Sequence, residues 1–139
     1  MSAPPPLYAS LSVALGGGIG ALLRYQLGRM MTQWLGPAMV SIFPWATLAA
    51  NALGSLAMGL LAGWLARNGA ASATGGEQMR LLLGAGLLGG FTTFSAFSLE
   101  MVMLIQRGQV LFALLYLILS IGLGITGLVF GLNIMRMAG

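Results

Sequence analysis

The stretch of sequence from residue 89 to residue 98 decides how the rest of this chain folds. It reads Gly89-Gly90-Phe91-Thr92-Thr93-Phe94-Ser95-Ala96-Phe97-Ser98 and lies inside an apolar segment long enough to cross a membrane. Each glycine weakens a helix by about 1 kcal/mol relative to alanine. Within hydrocarbon, a backbone group that leaves the helix needs another partner. The sequence therefore predicts a broken span that is enclosed by protein or lies beside a polar path, and it points first to ion passage.

The composition of the chain indicates one integral membrane domain over residues 1–139. Of these residues, 58% are hydrophobic and only 6% are charged, whereas a soluble domain is about 25% charged. The chain has no Cys and no His, and its only acids are Glu77 and Glu100. These counts argue against thiol chemistry, a zinc site or an acid–base enzyme. The six basic residues are all arginines and form no basic cluster, so no nucleic acid partner is expected.

Four apolar segments are long enough to be transmembrane helices, since a span needs about 20 residues. They cover about residues 7–27, 45–66, 81–105 and 110–135, and the third contains the break near its middle. Connectors are expected at residues 36–44, 67–78 and 106–109. The predicted fold is therefore all-α, with four transmembrane helices. Four pairs of glycines have the four-residue spacing that lets membrane helices pack closely: Gly16 and Gly20, Gly59 and Gly63, Gly86 and Gly90, and Gly127 and Gly131.

The arginines are balanced between the two sides of this predicted bundle. Arg67, Arg80 and Arg136 fall on the side of the termini, and Arg24, Arg29 and Arg107 fall on the other. Orientation normally follows an excess of basic residues on the cytoplasmic side, and three against three gives no such excess. We therefore expect dual topology, in which copies insert in both directions and pair as an antiparallel homodimer. The alternatives are that Arg24 lies inside the bundle, or that lipid and partners set one orientation.

Polar side chains recur at one-turn spacing in two of the apolar spans. Thr47, Asn51 and Ser55 are each four residues apart in the second span, and Tyr116 and Ser120 repeat this spacing in the fourth. They indicate a ladder of hydrogen-bond donors along a narrow path. The competing interpretations are that the hydroxyls bond to the preceding helical turn, or that Asn51 is a clasp between helices.

Two phenylalanines and two charges complete the set of candidate site residues. Phe94 and Phe97 share a helix face, and the positive edge of an aromatic ring attracts an anion weakly; their ordinary role would be core or lipid contact. Arg24 and Glu100 are the innermost charges, which makes them functional candidates or residues that extend to the interface. We expect Arg24 to attract anions at a pore mouth. Glu100 either braces the polar path or is the proton site of a coupled exchanger.

Three stretches of the chain form a recognisable set in this order: residues 16–25 (GGGIGALLRY), residues 47–55 (TLAANALGS) and residues 89–100 (GGFTTFSAFSLE). In sequence and order they resemble the signatures of the Fluc-type fluoride channels, also called the CrcB family. The resemblance implies passive fluoride efflux and resistance to fluoride toxicity, in a bacterial inner membrane. It also implies an antiparallel homodimer of four-helix subunits, with two pores that each use residues of both copies.

The resemblance also assigns residues. It makes Phe94 and Phe97 the pore-lining phenylalanines, Asn51 the pore asparagine, Tyr116 and Ser120 part of a hydroxyl track on the fourth helix, and places Arg24 in an aqueous vestibule. Together with the hydroxyls and carboxylate of the third span, Thr93, Ser95, Ser98 and Glu100, these are the expected pore or fluoride-binding residues. A central structural Na⁺ is expected on the backbone carbonyls of Gly89 and Thr92. Two positions depart from the family pattern, because Ala96 replaces a usual threonine and Gly124 stands where a further hydroxyl would continue the track.

Two other functions compete with a channel at this point. A proton-coupled small multidrug exporter also has four helices, but it needs a carboxylate deep in the first span, where this chain has none. A non-transporting subunit of a membrane assembly would need no serial polar residues. An intramembrane enzyme is not expected, because no nucleophile–base pair is visible.

Overall fold

The described residues fold into helices, as the long apolar runs predict. The computed structural model describes residues 5–68 and 73–138. The helices are α1 (Pro6–Leu35), α2 (Pro37–Ile42), α3 (Trp45–Asn68), α4 (Ala73–Met79), a π-helical segment (Arg80–Leu88), α5 (Gly89–Phe91), α6 (Phe94–Gln106) and α7 (Val110–Met137). Four stretches are long and apolar enough to cross a membrane: Pro6–Leu35, Trp45–Asn68, Gly75–Gln106 and Val110–Met137. This confirms an all-α membrane protein with four spans.

The structure contains more helix around the first and second connectors than the sequence predicts, including α2 within residues 36–44. Helix α1 does not end near residue 27 but continues to Leu35, and it ends where Gly36 adopts a φ of +83° before Pro37. With 30 residues, α1 is about 45 Å long, so its polar last turns extend past a hydrocarbon core of about 30 Å. The connector predicted at residues 67–78 also contains helix, since α3 reaches Asn68 and α4 begins at Ala73. Residues 69–72 lie outside the described part of the chain.

The break in the third span lies two residues after the position that its glycines predict. Gly89 and Gly90 are helical, whereas Thr92 (φ −83°, ψ 158°) and Thr93 (φ −154°, ψ 123°) are extended. Threonine is a poor helix former because its branched side chain loses rotamer freedom and its hydroxyl competes for backbone groups. The π-helical segment before the break, Arg80–Leu88, is a second irregularity that the sequence did not predict.

Glycines bring the helices together in two tight pairs. Helix α1 packs along the π-helical segment and α5, and α3 packs along α7. A Cβ atom on Gly20 would overlap the carbonyl oxygen of Leu87, and one on Gly131 would lie 2.8 Å from the amide nitrogen of Leu60. Seven of the eight glycines in the predicted pairs make such close contacts with another helix. Gly127 makes only ordinary contacts of 3.5 Å or more.

Arginines and tryptophans mark the two ends of the bundle. Trp45 and Trp64 of α3 are separated by about 28 Å along the helix axis, from 1.5 Å per residue, which matches the hydrocarbon thickness between two aromatic belts. At one end Arg67 donates to the carbonyl oxygen of Met135 (3.2 Å). At the other end Arg107 donates to the carbonyl oxygen of Ser41 (3.0 Å).

The turn between α6 and α7 is tight, as the sequence predicts. Gly108 has a φ of +74°, a conformation that glycine adopts without steric cost. The Gly108 N–H donates to Ile105 (2.9 Å) and the Gln109 N–H donates to Leu104 (2.9 Å). These two bonds form a Schellman motif, so α6 and α7 run antiparallel.

We predict that Gly20→Ala destabilises the protein, because the added methyl group meets backbone atoms of Leu87 and Phe91. Overpacking of this kind costs about 1–3 kcal/mol. The matched control is Gly18→Ala on the same helix, where a Cβ meets nothing within 4 Å. Thermal unfolding of the purified variants measures the difference. Equal melting temperatures for the two variants would show that α1 does not pack through Gly20.

Candidate functional site

Asn51 of α3 holds the backbone at the break in the third span. Its Oδ1 atom accepts a hydrogen bond from the Thr93 N–H (2.8 Å), and its Nδ2 atom donates to the Thr93 carbonyl oxygen (3.1 Å). One side-chain amide therefore satisfies both backbone groups of a residue that has left the helix, where hydrocarbon offers no other partner. The sequence left two interpretations of Asn51, a donor along a polar path and a clasp between helices. The hydrogen bonds to Thr93 are those of a clasp.

The break releases two carbonyl groups from the helical hydrogen-bond ladder. The Gly89 carbonyl would normally accept from the Thr93 N–H, but that donor is bonded to Asn51. The Thr92 carbonyl would normally accept from the Ala96 N–H, but that donor is bonded to the Thr93 side chain (3.2 Å), which caps α6. These are the two carbonyls on which the family resemblance implies a Na⁺.

A cavity with several polar side chains in its lining lies next to the break. Its volume is about 290 Å³, and it is lined by Asn51, Thr92, Thr93, Phe94, Phe97, Ser120 and Ile121. The Oγ atom of Ser120 is buried and has no hydrogen-bond partner among the described residues. Since a buried hydroxyl without a partner is costly, Ser120 is a donor left available to whatever occupies the cavity. The cavity brings together five of the predicted site residues: Asn51, Thr93, Phe94, Phe97 and Ser120.

The two phenylalanines occupy different environments. Phe97 is half-buried and packs against Tyr116, with ring centroids 5.0 Å apart. Phe94 is 79% exposed and contacts the Phe97 ring at 5.8 Å. One ring therefore belongs to the interior of the protomer, and the other projects from it.

Glu100 of α6 accepts two short hydrogen bonds, one from a side chain of α3 and one from a side chain of α7. Thr47 Oγ1 donates to one carboxylate oxygen (2.7 Å), and the Tyr116 hydroxyl donates to the other (2.7 Å). Tyr116 is fully buried, and Phe43 packs edge-on against it at 5.5 Å. Sequence reasoning missed Phe43. The only available signal was an aromatic residue immediately before Pro44 in a short connector.

The predicted hydroxyl residues of the third span differ in their availability. Ser98 donates to the Phe94 carbonyl oxygen (2.9 Å), which is the back-bonding that competed with a site role in the sequence. Ser95 is exposed, with its hydroxyl 3.3 Å from that of Thr93. At Gly124, where a track hydroxyl is missing, a Cβ would stand 3.6 Å from Ser55 Oγ. The α3 helix therefore supplies a hydroxyl beside that gap.

Arg24 lies apart from the break, on a wider cavity. This cavity measures about 760 Å³ and is lined by Arg24, Tyr25, Gly28, Arg29, Thr32, Gln33, Pro37, Val40, Ala46 and Thr47. The Nε atom of Arg24 is buried without a hydrogen-bond partner in the described chain. Thr47 also lines a smaller cavity of about 180 Å³ that includes Glu100. Thr47 thus connects the arginine-lined cavity with the Glu100 cluster.

Comparison with known proteins identifies relatives along nearly the whole chain. The profile of the family described as "CrcB-like protein, Camphor Resistance (CrcB)" matches residues 11–132. A protein of Erythrobacter litoralis is 61% identical over 99% of this chain and 98% of its own length. A protein of Novosphingobium aromaticivorans is 57% identical over 92% of this chain and 96% of its own length.

A third relative, from Rhizobium leguminosarum bv. trifolii, is 45% identical over 91% of this chain and 95% of its own length. All three proteins are named "Fluoride-specific ion channel FluC". The family match covers all four spans and the break between Thr92 and Thr93. This chain, with its third span broken and clasped by Asn51, therefore belongs to the CrcB family.

Proposed function

We propose that this chain is a fluoride channel that lets fluoride leave a bacterial cell passively across the inner membrane and so confers resistance to fluoride. The observation that carries the proposal is the cavity beside the break, where the unpartnered Ser120 hydroxyl, the Asn51 amide and the Phe97 ring converge. The names of three relatives that cover over nine-tenths of this chain support the choice of ion. Multidrug export and a purely structural subunit have no comparable observation in their favour.

The chemistry of the cavity suits an anion that must pass rather than stay. No charged side chain lines it, so neither tight capture by arginine nor repulsion by a carboxylate operates there. Removing water from a small ion without compensation costs tens of kcal/mol in the idealised limit. Hydroxyl, amide and ring-edge donors replace that water in part, and conduction requires binding that is weak enough for release. The Arg24 cavity would concentrate anions before they enter.

The pore is completed by a second copy of the chain, in our proposal. Phe94 is 79% exposed and Ser95 is also exposed, and a polar cavity that opens to lipid would leave its donors without partners. Helix α6 has few contacts within the protomer beyond α7, so its outer face is available. An antiparallel partner would cover it and generate two pores by symmetry, in keeping with three arginines at each end of the bundle.

The released carbonyls fit a structural Na⁺ at the centre of this dimer. Carbonyl oxygens are hard ligands that suit such a cation. The Gly89 and Thr92 carbonyls of each copy would hold the ion, and no carboxylate is needed. When bound, Na⁺ supplies positive charge that stabilises the break and favours anions nearby.

Glu100 has the geometry of a brace rather than of a proton carrier. Both of its carboxylate oxygens accept hydroxyl hydrogen bonds. An exporter that exchanges protons for substrate needs a carboxylate that alternates between a proton and its cargo. The channel proposal therefore expects movement of fluoride without coupling to protons.

We predict that Phe94→Ile and Phe97→Ile reduce fluoride flux to the level of protein-free liposomes, because each removes a ring edge from the cavity. The matched control is Phe130→Ile, which alters an exposed ring of α7 (62% exposed) away from this cavity. A fluoride electrode measures efflux from liposomes that contain equal amounts of each variant. Wild-type rates in both cavity variants would rule out an aromatic pore.

The lack of proton coupling is tested by electrical recording. With equal fluoride on both sides of a bilayer, a pH gradient should drive no current, whereas a fluoride gradient at equal pH should drive a current that reverses at the fluoride equilibrium potential. The experiment is run at alkaline pH, where little HF is present to cross the lipid. A reversal potential that shifts with the pH gradient would support the exporter instead.

Dual topology predicts that the C-terminus is found on both sides of the membrane. The chain has no natural cysteine, so a single Ala138→Cys substitution gives an unambiguous label at the exposed end of α7. An impermeant maleimide should label about half of the copies in intact cells, from equal insertion of the two orientations. Permeabilisation should expose the remainder. Complete labelling, or none, before permeabilisation would contradict the antiparallel pair.

A further inference from the structure

We infer that Asn51 is a positioning residue that sets the affinity of the break for a cation, in addition to offering one N–H to the cavity. This inference rests on the proposed function, which places Na⁺ on the carbonyls of Gly89 and Thr92. Asn51 touches neither carbonyl. It acts through the backbone of Thr93, by two hydrogen bonds.

The Asn51 amide has little hydrogen-bonding capacity left for an anion. An asparagine side chain offers one acceptor oxygen and two N–H donors. Its oxygen faces the Thr93 N–H, and one donor is used by the Thr93 carbonyl. Only one N–H remains for the cavity, whereas the Ser120 hydroxyl there is wholly uncommitted.

The geometry links this clasp to the Gly89 carbonyl. In a continuous helix the Thr93 N–H would bond to the Gly89 carbonyl, four residues earlier. Here the same N–H points to Asn51 Oδ1, 2.8 Å away. Loss of that acceptor would leave the Gly89 carbonyl as the nearest natural partner for the Thr93 N–H. A carbonyl that accepts this bond would be a poorer cation ligand.

The Thr92 carbonyl is released by a separate device. The Ala96 N–H that would occupy it bonds instead to Thr93 Oγ1 at 3.2 Å. Both predicted cation ligands thus depend on Thr93, one through its side chain and one through the bond that Asn51 accepts. The Asn51 side chain therefore affects the Gly89 carbonyl and not the Thr92 carbonyl.

Sodium titration of thermal stability tests the inference without measuring transport. The melting temperature of the purified protein is followed as Na⁺ replaces N-methylglucamine. In wild type it should rise with Na⁺ and saturate. In Asn51→Ala the half-saturating Na⁺ concentration should rise by about tenfold or more, the effect expected from losing two hydrogen bonds. A merely structural role would lower the melting temperature at every Na⁺ concentration and leave the half-saturation point unchanged, which would overturn the inference.

Two further variants make the test independent of the alanine variant's folding. Asn51→Asp keeps the oxygen that accepts the Thr93 N–H, so its half-saturating Na⁺ concentration should equal that of wild type or fall below it. Weaker sodium binding in this variant would overturn the inference. Asn68→Ala is the matched control, because Asn68 lies on the same helix and bonds only to Trp64 of its own last turn (3.1 Å). Its sodium response should be that of wild type.

The outcome is separable from that of the proposed function. A wild-type melting temperature that does not respond to sodium would overturn this inference, while fluoride flux through the channel would stand. Loss of fluoride selectivity in a protein that still responds to sodium would overturn the proposed function and leave this inference standing.

Discussion

The constraint on which the rest of this structure depends is the pair of hydrogen bonds between Asn51 and the backbone of Thr93, at 2.8 and 3.1 Å. A helix that breaks inside hydrocarbon exposes an N–H and a C=O that lipid cannot satisfy. One amide side chain satisfies both. The break can then persist, α6 can begin at Phe94 with Phe97 on the same first turn, and two carbonyls become free of the ladder.

The glycine framework makes this clasp possible by fixing the distance between helices. Gly54 is the nearest example, because a Cβ there would overlap the Thr92 methyl group, and it lies on the same helix as Asn51. On the other side of the third span, a Cβ on Gly90 would overlap the carbonyl of Gly17 and lie 2.9 Å from its Cα. The break is thus held between α1, by backbone contact, and α3, where the Thr92 side chain packs on Gly54, while the outer face of α6 stays open. Rigidity on one side and exposure on the other suit a site that is built by two copies.

The sequence identified the elements of this site better than their geometry. The run from residue 89 to residue 98, the amide at Asn51 and the glycine spacings could be read because each violates what a lipid-facing helix requires. The position of the break could not be predicted, since the extended backbone at Thr93 is held by a hydrogen bond to Asn51, 42 positions earlier in the chain. The contact of Phe43 with Tyr116 likewise depends on tertiary packing. The end of α1 was misplaced because its last turns are polar, although they remain helical outside the hydrocarbon.

Fluoride efflux from liposomes that contain only this purified protein, with chloride efflux measured in parallel, tests the central claim most directly. The account predicts rapid loss of internal fluoride once the membrane potential is relieved, because the donors around the Ser120 cavity compensate for the water that fluoride loses, and it predicts that chloride is retained. Liposomes that retain fluoride as firmly as empty vesicles, or that release both halides alike, would contradict the account.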